Sequence, residues 1–101
     1  MKKKILQLIC LCFLTIQVLW AQNVGIGTAT PDASAKLHIE AANSGLLIPN
    51  VSLLDINNGT SPVNTPATSL LVYNTNAAIA GGNGTGFYYW NGTQWVALQG
   101  S

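Results

Sequence analysis

Charge is almost missing from this sequence. Of 101 residues, four are Lys or Arg and three are Asp or Glu, and Lys2, Lys3 and Lys4 account for most of the basic ones. From Gln22 onward, Lys36 stands alone against Asp32, Glu40 and Asp55, a formal charge of −2 with His38 neutral. Such a surface has no electrostatic footprint for nucleic acid or an anionic membrane. Cysteine is also lacking: Cys10 and Cys12 both sit near the N-terminus, so the rest of the chain holds no disulfide framework and no thiolate metal site. His38 is the one histidine. A hydrolytic triad needs a nucleophile, a base and an orienting acid, and a metal needs more than the scattered His38, Glu40 and Asp55. His38 and Glu40 read instead as polar residues on the wet face of a strand. Gly25-x-Gly27 lacks the third glycine of a dinucleotide fingerprint, since position 30 is Thr. The chain reads as non-enzymatic, with no cofactor and no metal.

What is present begins with a leader. The three lysines precede an apolar run from Ile5 to Trp20, and Ala21 offers a small residue before Gln22. As a helix this run reaches about 24 Å, short of the roughly 30 Å hydrocarbon core. Residues 1–21 are therefore expected to be a helical secretory signal, cut between Ala21 and Gln22. No small residue precedes either cysteine in the way a lipoprotein signal requires, and no membrane span is expected after cleavage. Residues 22–101 then form one β-rich domain, secreted or on the cell surface. Roughly 80 residues is near the size at which one core supplies only a few kcal/mol, and oligomerisation is a common remedy.

Along that domain, Val24 to Gly27 can lie extended where another backbone comes close. Thr30-Pro31-Asp32 has the chemistry of a helix start with Thr30 as cap, giving one turn over residues 33–35. Lys36 to Glu40 alternates, which predicts a half-buried strand with Leu37 and Ile39 inward. Leu46-Leu47-Ile48 predicts a short apolar strand ended by Pro49, and Leu70 to Tyr73 another with apolar residues on both faces. Residues 57–67 and 74–85 read as loops, long for so small a domain, which favours an extended unit. Three Asn-Gly-Thr triplets, at Asn58, Asn83 and Asn91, match the glycosylation pattern but read as turn chemistry. With Val24, Ile26, Leu37, Ile39, Leu46, Ile48, Leu71 and Tyr73 as further core residues, the fold class is mainly β, a short-stranded antiparallel meander.

The segment Gly86 to Leu98, GFYYWNGTQWVAL, predicts a β-hairpin about Asn91-Gly92, the preferred two-residue turn. That turn sets Trp90 opposite Thr93 and Tyr88 opposite Trp95. One face then carries Tyr88, Trp90 and Trp95, and the other Phe87, Tyr89, Val96 and Leu98. A hairpin with one wet face alternates apolar and polar; this one is apolar on both sides. Either the body of the domain covers both faces, or another chain covers one.

NVGIGTATPDASAKLHIE (Asn23 to Glu40) resembles the opening segment of phage tail-fibre-like proteins of Gram-negative bacteria. GLLIPNV, PATSLLVYNTN and GFYYWNGTQWVAL resemble the blocks that follow it, in the same order. The resemblance implies an elongated, homotrimeric, secreted or surface protein. Relatives often end in an endosialidase-type intramolecular chaperone, which this sequence does not contain. The chain thus reads as a minimal member, a truncated product or an N-terminal fragment. Position 50 is Asn where many relatives have a basic residue, and position 69 is Ser where glycine is common.

Two uses of the hairpin follow. In one, Phe87, Tyr88, Tyr89, Trp90, Trp95 and Val96 pair copies of the chain into a homotrimeric structural or adhesion module. In the other, exposed Tyr88, Trp90 and Trp95 make a sugar-stacking platform in a secreted carbohydrate-binding module. A surface glycan or protein is the further partner.

Overall fold

The computed structural model describes residues 2–5, 7 and 22–99. Most of the expected leader, including Cys10, Cys12 and Ala21, lies outside them. Residues group into two compact units, 1–45 and 46–101. Among the described residues no helix is long and apolar enough to cross a membrane.

In the first unit, β1 (Val24–Ile26) and β2 (Leu37–Ile39) pair in parallel, with Val24 opposite Leu37 and Ile26 opposite Ile39. The two glycines of the opening motif explain the ladder. A Cβ on Gly25 would lie 2.5 Å from the Thr28 carbonyl oxygen, and one on Gly27 would lie 2.1 Å from that of Glu40. Gly27 also has φ +80°, a conformation costly to any residue with a side chain. The Glu40 N–H then donates to the Ile26 carbonyl at 2.9 Å and the Val24 N–H to Lys36 at 2.8 Å. The expected helical turn is a turn capped two residues later. Asp32, not Thr30, caps it: its Oδ1 accepts from the Ser34 N–H at 2.9 Å and the Ser34 hydroxyl at 2.6 Å. The Asp32 N–H donates to His38 Nδ1 at 3.0 Å, which ties this turn to β2. Val24, Ile26, Leu37 and Ile39 are all exposed, so the strand expected to be half-buried has no core beneath it.

The second unit is a four-stranded sheet in the order β3 (Asn50–Val51), β4 (Leu71–Asn74), β5 (Gly86–Trp90) and β6 (Trp95–Ala97). The last three strands form the expected antiparallel meander, but β3 runs parallel to β4. Leu46-Leu47-Ile48 is not a strand; pairing starts beyond Pro49, whose carbonyl accepts from the Tyr73 N–H at 3.0 Å.

The hairpin register also differs from expectation. Trp90 faces Trp95, Tyr89 faces Val96 and Tyr88 faces Ala97. The cause is Asn91. Its Oδ1 accepts from the Thr93 N–H at 2.9 Å, the Thr93 hydroxyl at 3.0 Å and the Gln94 N–H at 2.8 Å, while its own N–H bonds the Gln94 carbonyl at 3.0 Å. Of the Asn91-Gly92 pair only Gly92 takes positive φ, at +107°. A four-residue loop replaces the two-residue turn, and the register moves by two. A shift of two keeps every side chain on its face, whereas a slip of one would invert them all.

The inner face holds the core: Val72, Tyr88, Trp90 and Trp95, closed by Leu53 and Ile79. These last two come from the long connections 52–70 and 75–85. The connections bind each other through Ile56 N–H to the Ala80 carbonyl and Ala80 N–H to the Leu54 carbonyl, both at 3.1 Å. Of the eight further core residues expected from sequence, none is in this core. Six are exposed, and Ile48 and Tyr73 are half-buried.

Candidate functional site

Strand alternation sends successive side chains to opposite sides of the sheet. On the inner side Trp90 and Trp95 meet edge-to-face, centroids 5.2 Å apart. The Trp95 indole N–H donates to the Asn58 carbonyl at 3.1 Å. The Tyr88 hydroxyl donates to the Gly84 carbonyl at 2.7 Å and accepts from the Asn83 N–H at 2.9 Å. The two most deeply buried aromatics, Tyr88 and Trp95, thus each have a partner for the polar tip, as burial demands.

Among the described residues Asn74 is the one polar side chain closed off completely. Its Oδ1 accepts from the N–H groups of Leu53 and Asn76, and its Nδ2 donates to the carbonyls of Asn76 and Gly84, all at 2.9 Å. One amide thus ties both covering loops to β4. Among the described residues no buried side-chain N or O atom lacks a partner. This residue escaped the sequence reading, where it appeared as the first residue of a polar loop.

The outer side is different. Leu71 and Tyr73 on β4, Phe87 and Tyr89 on β5, and Val96 and Leu98 beyond the hairpin turn share it. The pairs Leu71–Tyr89, Tyr73–Phe87 and Tyr89–Val96 lie opposite each other. Tyr73 and Phe87 pack edge-to-face at 5.2 Å. Leu71, Phe87 and Leu98 are exposed; Tyr73, Tyr89 and Val96 are half-buried. Leu46, Leu47 and Ile48 extend the apolar surface, lining with Asn50, Tyr73 and Phe87 a groove of about 220 Å³. No charged side chain interrupts it, because Asp55 is the only Asp, Glu, Lys, Arg or His from Leu46 onward.

The six aromatic and aliphatic residues singled out in the hairpin therefore divide. Tyr88, Trp90 and Trp95 are core residues, and the sugar-stacking platform expected of them is inside the fold. Phe87, Tyr89 and Val96 face outward. Leu46, Leu47, Leu71 and Tyr73 join the outer face although the sequence reading placed Leu46, Leu71 and Tyr73 in the core and gave Leu47 no role. The signal for Leu71 and Tyr73 was available in their alternation with Val72, which is buried. Among the described residues no three of His, Cys, Asp and Glu come together as metal ligands would. The Asn-Gly-Thr triplets at Asn58 and Asn91 are turns of one design: Asn58 Oδ1 accepts from the Thr60 N–H at 3.0 Å, the Thr60 hydroxyl at 2.9 Å and the Ser61 N–H at 3.0 Å.

One stretch, residues 25–101, which takes in this outer face and every strand residue but Val24, matches the family described as phage tail like trimerisation region. The chain belongs to that family. No curated protein and no solved structure gives a match. The family is one of tail-like structural proteins, so the chain is a β-rich, fibre-like structural module for which self-association is the supported partner relation. Ser69, a position at which the resemblance implies glycine, has φ +76°, a conformation that favours glycine.

Proposed function

We propose that this chain is an exported structural module that assembles as a homotrimer, with the outer face of its sheet buried between copies. One observation carries the reading: the sheet has a closed, hydrogen-bonded inner face and a charge-free apolar outer face, within a family defined by trimerisation. At about 25 cal/mol per Å² of apolar area, covering Phe87, Tyr89 and Leu98 on each copy contributes several kcal/mol, which matters for a unit of this size. Export, by way of the leader at residues 1–21, places the assembly outside the cell or on its surface, where a fibre-like module serves attachment.

The test is the light-scattering mass of the exported chain, together with its N-terminal residue. The expected result is three copies beginning at Gln22. Phe87→Ser with Tyr89→Ser lowers the mass while the far-ultraviolet spectrum keeps its sheet signature. A wild-type chain of one-copy mass at micromolar concentration, with that signature intact, refutes the assembly. Carbohydrate binding draws no support from Tyr88, Trp90 and Trp95, which lie in the core.

A further inference from the structure

A ring of three copies closes through heterologous contacts, in which one patch of a subunit meets a different patch of the next. The outer face offers two such patches, one on each side of the sheet. On the β3 side, Leu46 and Leu47 stand ahead of Asn50 as a ridge, and Leu47 is 87% exposed. On the β6 side, Leu98 is 54% exposed. It is held on the outer face by its N–H bond to the Phe87 carbonyl at 2.8 Å, with Val96 two residues before it. The strand order β3-β4-β5-β6 sets these patches on opposite sides. Neither patch carries a charge that would resist burial.

We propose, resting on the homotrimer reading above, that each copy seats its Leu46–Leu47 ridge against the Val96–Leu98 edge of a second copy of this chain. Every subunit then gives a ridge on one side and receives one on the other, and the ring closes at three. A contact of ridge on ridge is isologous and stops at two copies.

Opposite charges test the pairing. Leu47→Asp puts a carboxylate on the ridge, and Leu98→Lys puts an ammonium on the far edge. Both positions are exposed, and the near-ultraviolet signal of the Trp90–Trp95 pair verifies that each variant folds. In the exported chain, each single variant is expected to drop the light-scattering mass from three copies to one. The double variant L47D/L98K returns it to three at low salt and loses it again in about 1 M salt, where surface charges are screened. A folded double variant that stays at one copy while wild type holds three overturns the pairing and leaves the homotrimer standing. Single variants that remain trimeric overturn it equally. A wild-type mass of one or two copies removes the homotrimer itself.

Discussion

The two faces of the four-stranded sheet are built from neighbouring residues of the same strands, yet they meet opposite fates. Along β5, Tyr88 and Trp90 are buried while Phe87 is exposed and Tyr89 half-buried; along β4, Val72 and Asn74 are buried while Leu71 is exposed. Hydropathy does not separate the two sets, since apart from Asn74 both are aromatic and aliphatic. What separates them is the presence of a cover. Leu53 and Ile79 descend from two loops that are fastened to each other and to Asn74, and they close the inner side. Among the described residues of the second unit nothing does the same for the outer side. An apolar face left this open on a small domain is the kind of surface that marks an interaction site.

Breaking the inner face has the largest expected effect. Trp95→Ala removes a side chain that is 2% exposed, its edge-to-face contact with Trp90 and its bond to the Asn58 carbonyl. Truncation of a buried aromatic costs about 3–5 kcal/mol, comparable with the whole stability of a small domain. The variant should show no cooperative denaturation transition by Trp90 fluorescence. By contrast, Tyr89→Ser, one residue from Trp90 but on the outer face, should lower the assembled mass and keep the sheet. If the two variants unfold alike, the faces are not independent.

Next comes the fastening of the cover. Asn74→Leu keeps the branched shape but strands the N–H groups of Leu53 and Asn76 and the Asn76 carbonyl, and leaves the Gly84 carbonyl with the Tyr88 hydroxyl alone. Buried groups left unpaired cost about 1–3 kcal/mol each when water cannot reach them. Because water reaches the half-buried Asn76 and Gly84, the net loss should be about 2–4 kcal/mol, read from the denaturant midpoint. A loss below about 0.5 kcal/mol would mean the loops hold without this amide.

How far the sequence discloses these faces depends on which distances decide them. The composition of each hairpin face was legible, because alternation is local and survived a register shift of two. The register was not, because the Asn91 side chain chose a four-residue loop over the two-residue turn its dipeptide favours. Which face lies inside was illegible too, since it depends on Leu53 and Ile79, two among several apolar residues in irregular connections where no period marks which one is buried. Asn74 looked like a turn residue because its bonds to Leu53 and Gly84, in two other segments, are invisible to local pattern. Leu37 and Ile39 alternate as a half-buried strand should, and the pattern is right about the strand while silent on whether the cover belongs to the same chain. Family membership was legible from several weak blocks in fixed order.

A smaller effect, of opposite sign, sharpens the account of the blocks. Ser69 occupies φ +76° at the entry to β4, where its N–H bonds the Trp90 carbonyl at 2.6 Å. The left-handed conformation costs a residue with a Cβ about 1–2 kcal/mol, and glycine gives back part of that gain through its unfolded-state entropy. Ser69→Gly should therefore stabilise the second unit by about 0.5–1 kcal/mol, with assembled mass unchanged. A decrease in stability would show that the serine side chain makes up for its backbone.

The smallest effect distinguishes the two units by pH. In the first unit the Asp32 carboxyl is held below its ordinary value of 3.8, chiefly by the bond from the Ser34 hydroxyl, then by the Ser34 N–H, with a lesser pull from His38. A carboxyl whose folded pKa lies below its unfolded one adds stability that is fully present above the unfolded value. That stability is lost as pH falls through the folded value. The turn beside β2 should therefore loosen at pH below 3.8, seen as movement of the Ser34 and Val24 amide resonances. The effect on global unfolding should be slight, since the carboxyl is solvent-exposed and screened. The second unit, with Asp55 as its one carboxyl, should keep its Trp90 and Trp95 resonances in place over the same range. Asp32→Asn retains an Oδ1 acceptor for Ser34 and removes the titration, so its Ser34 amide should hold still as the pH is lowered. If that amide moves as in wild type, the Asp32 carboxyl does not govern the turn.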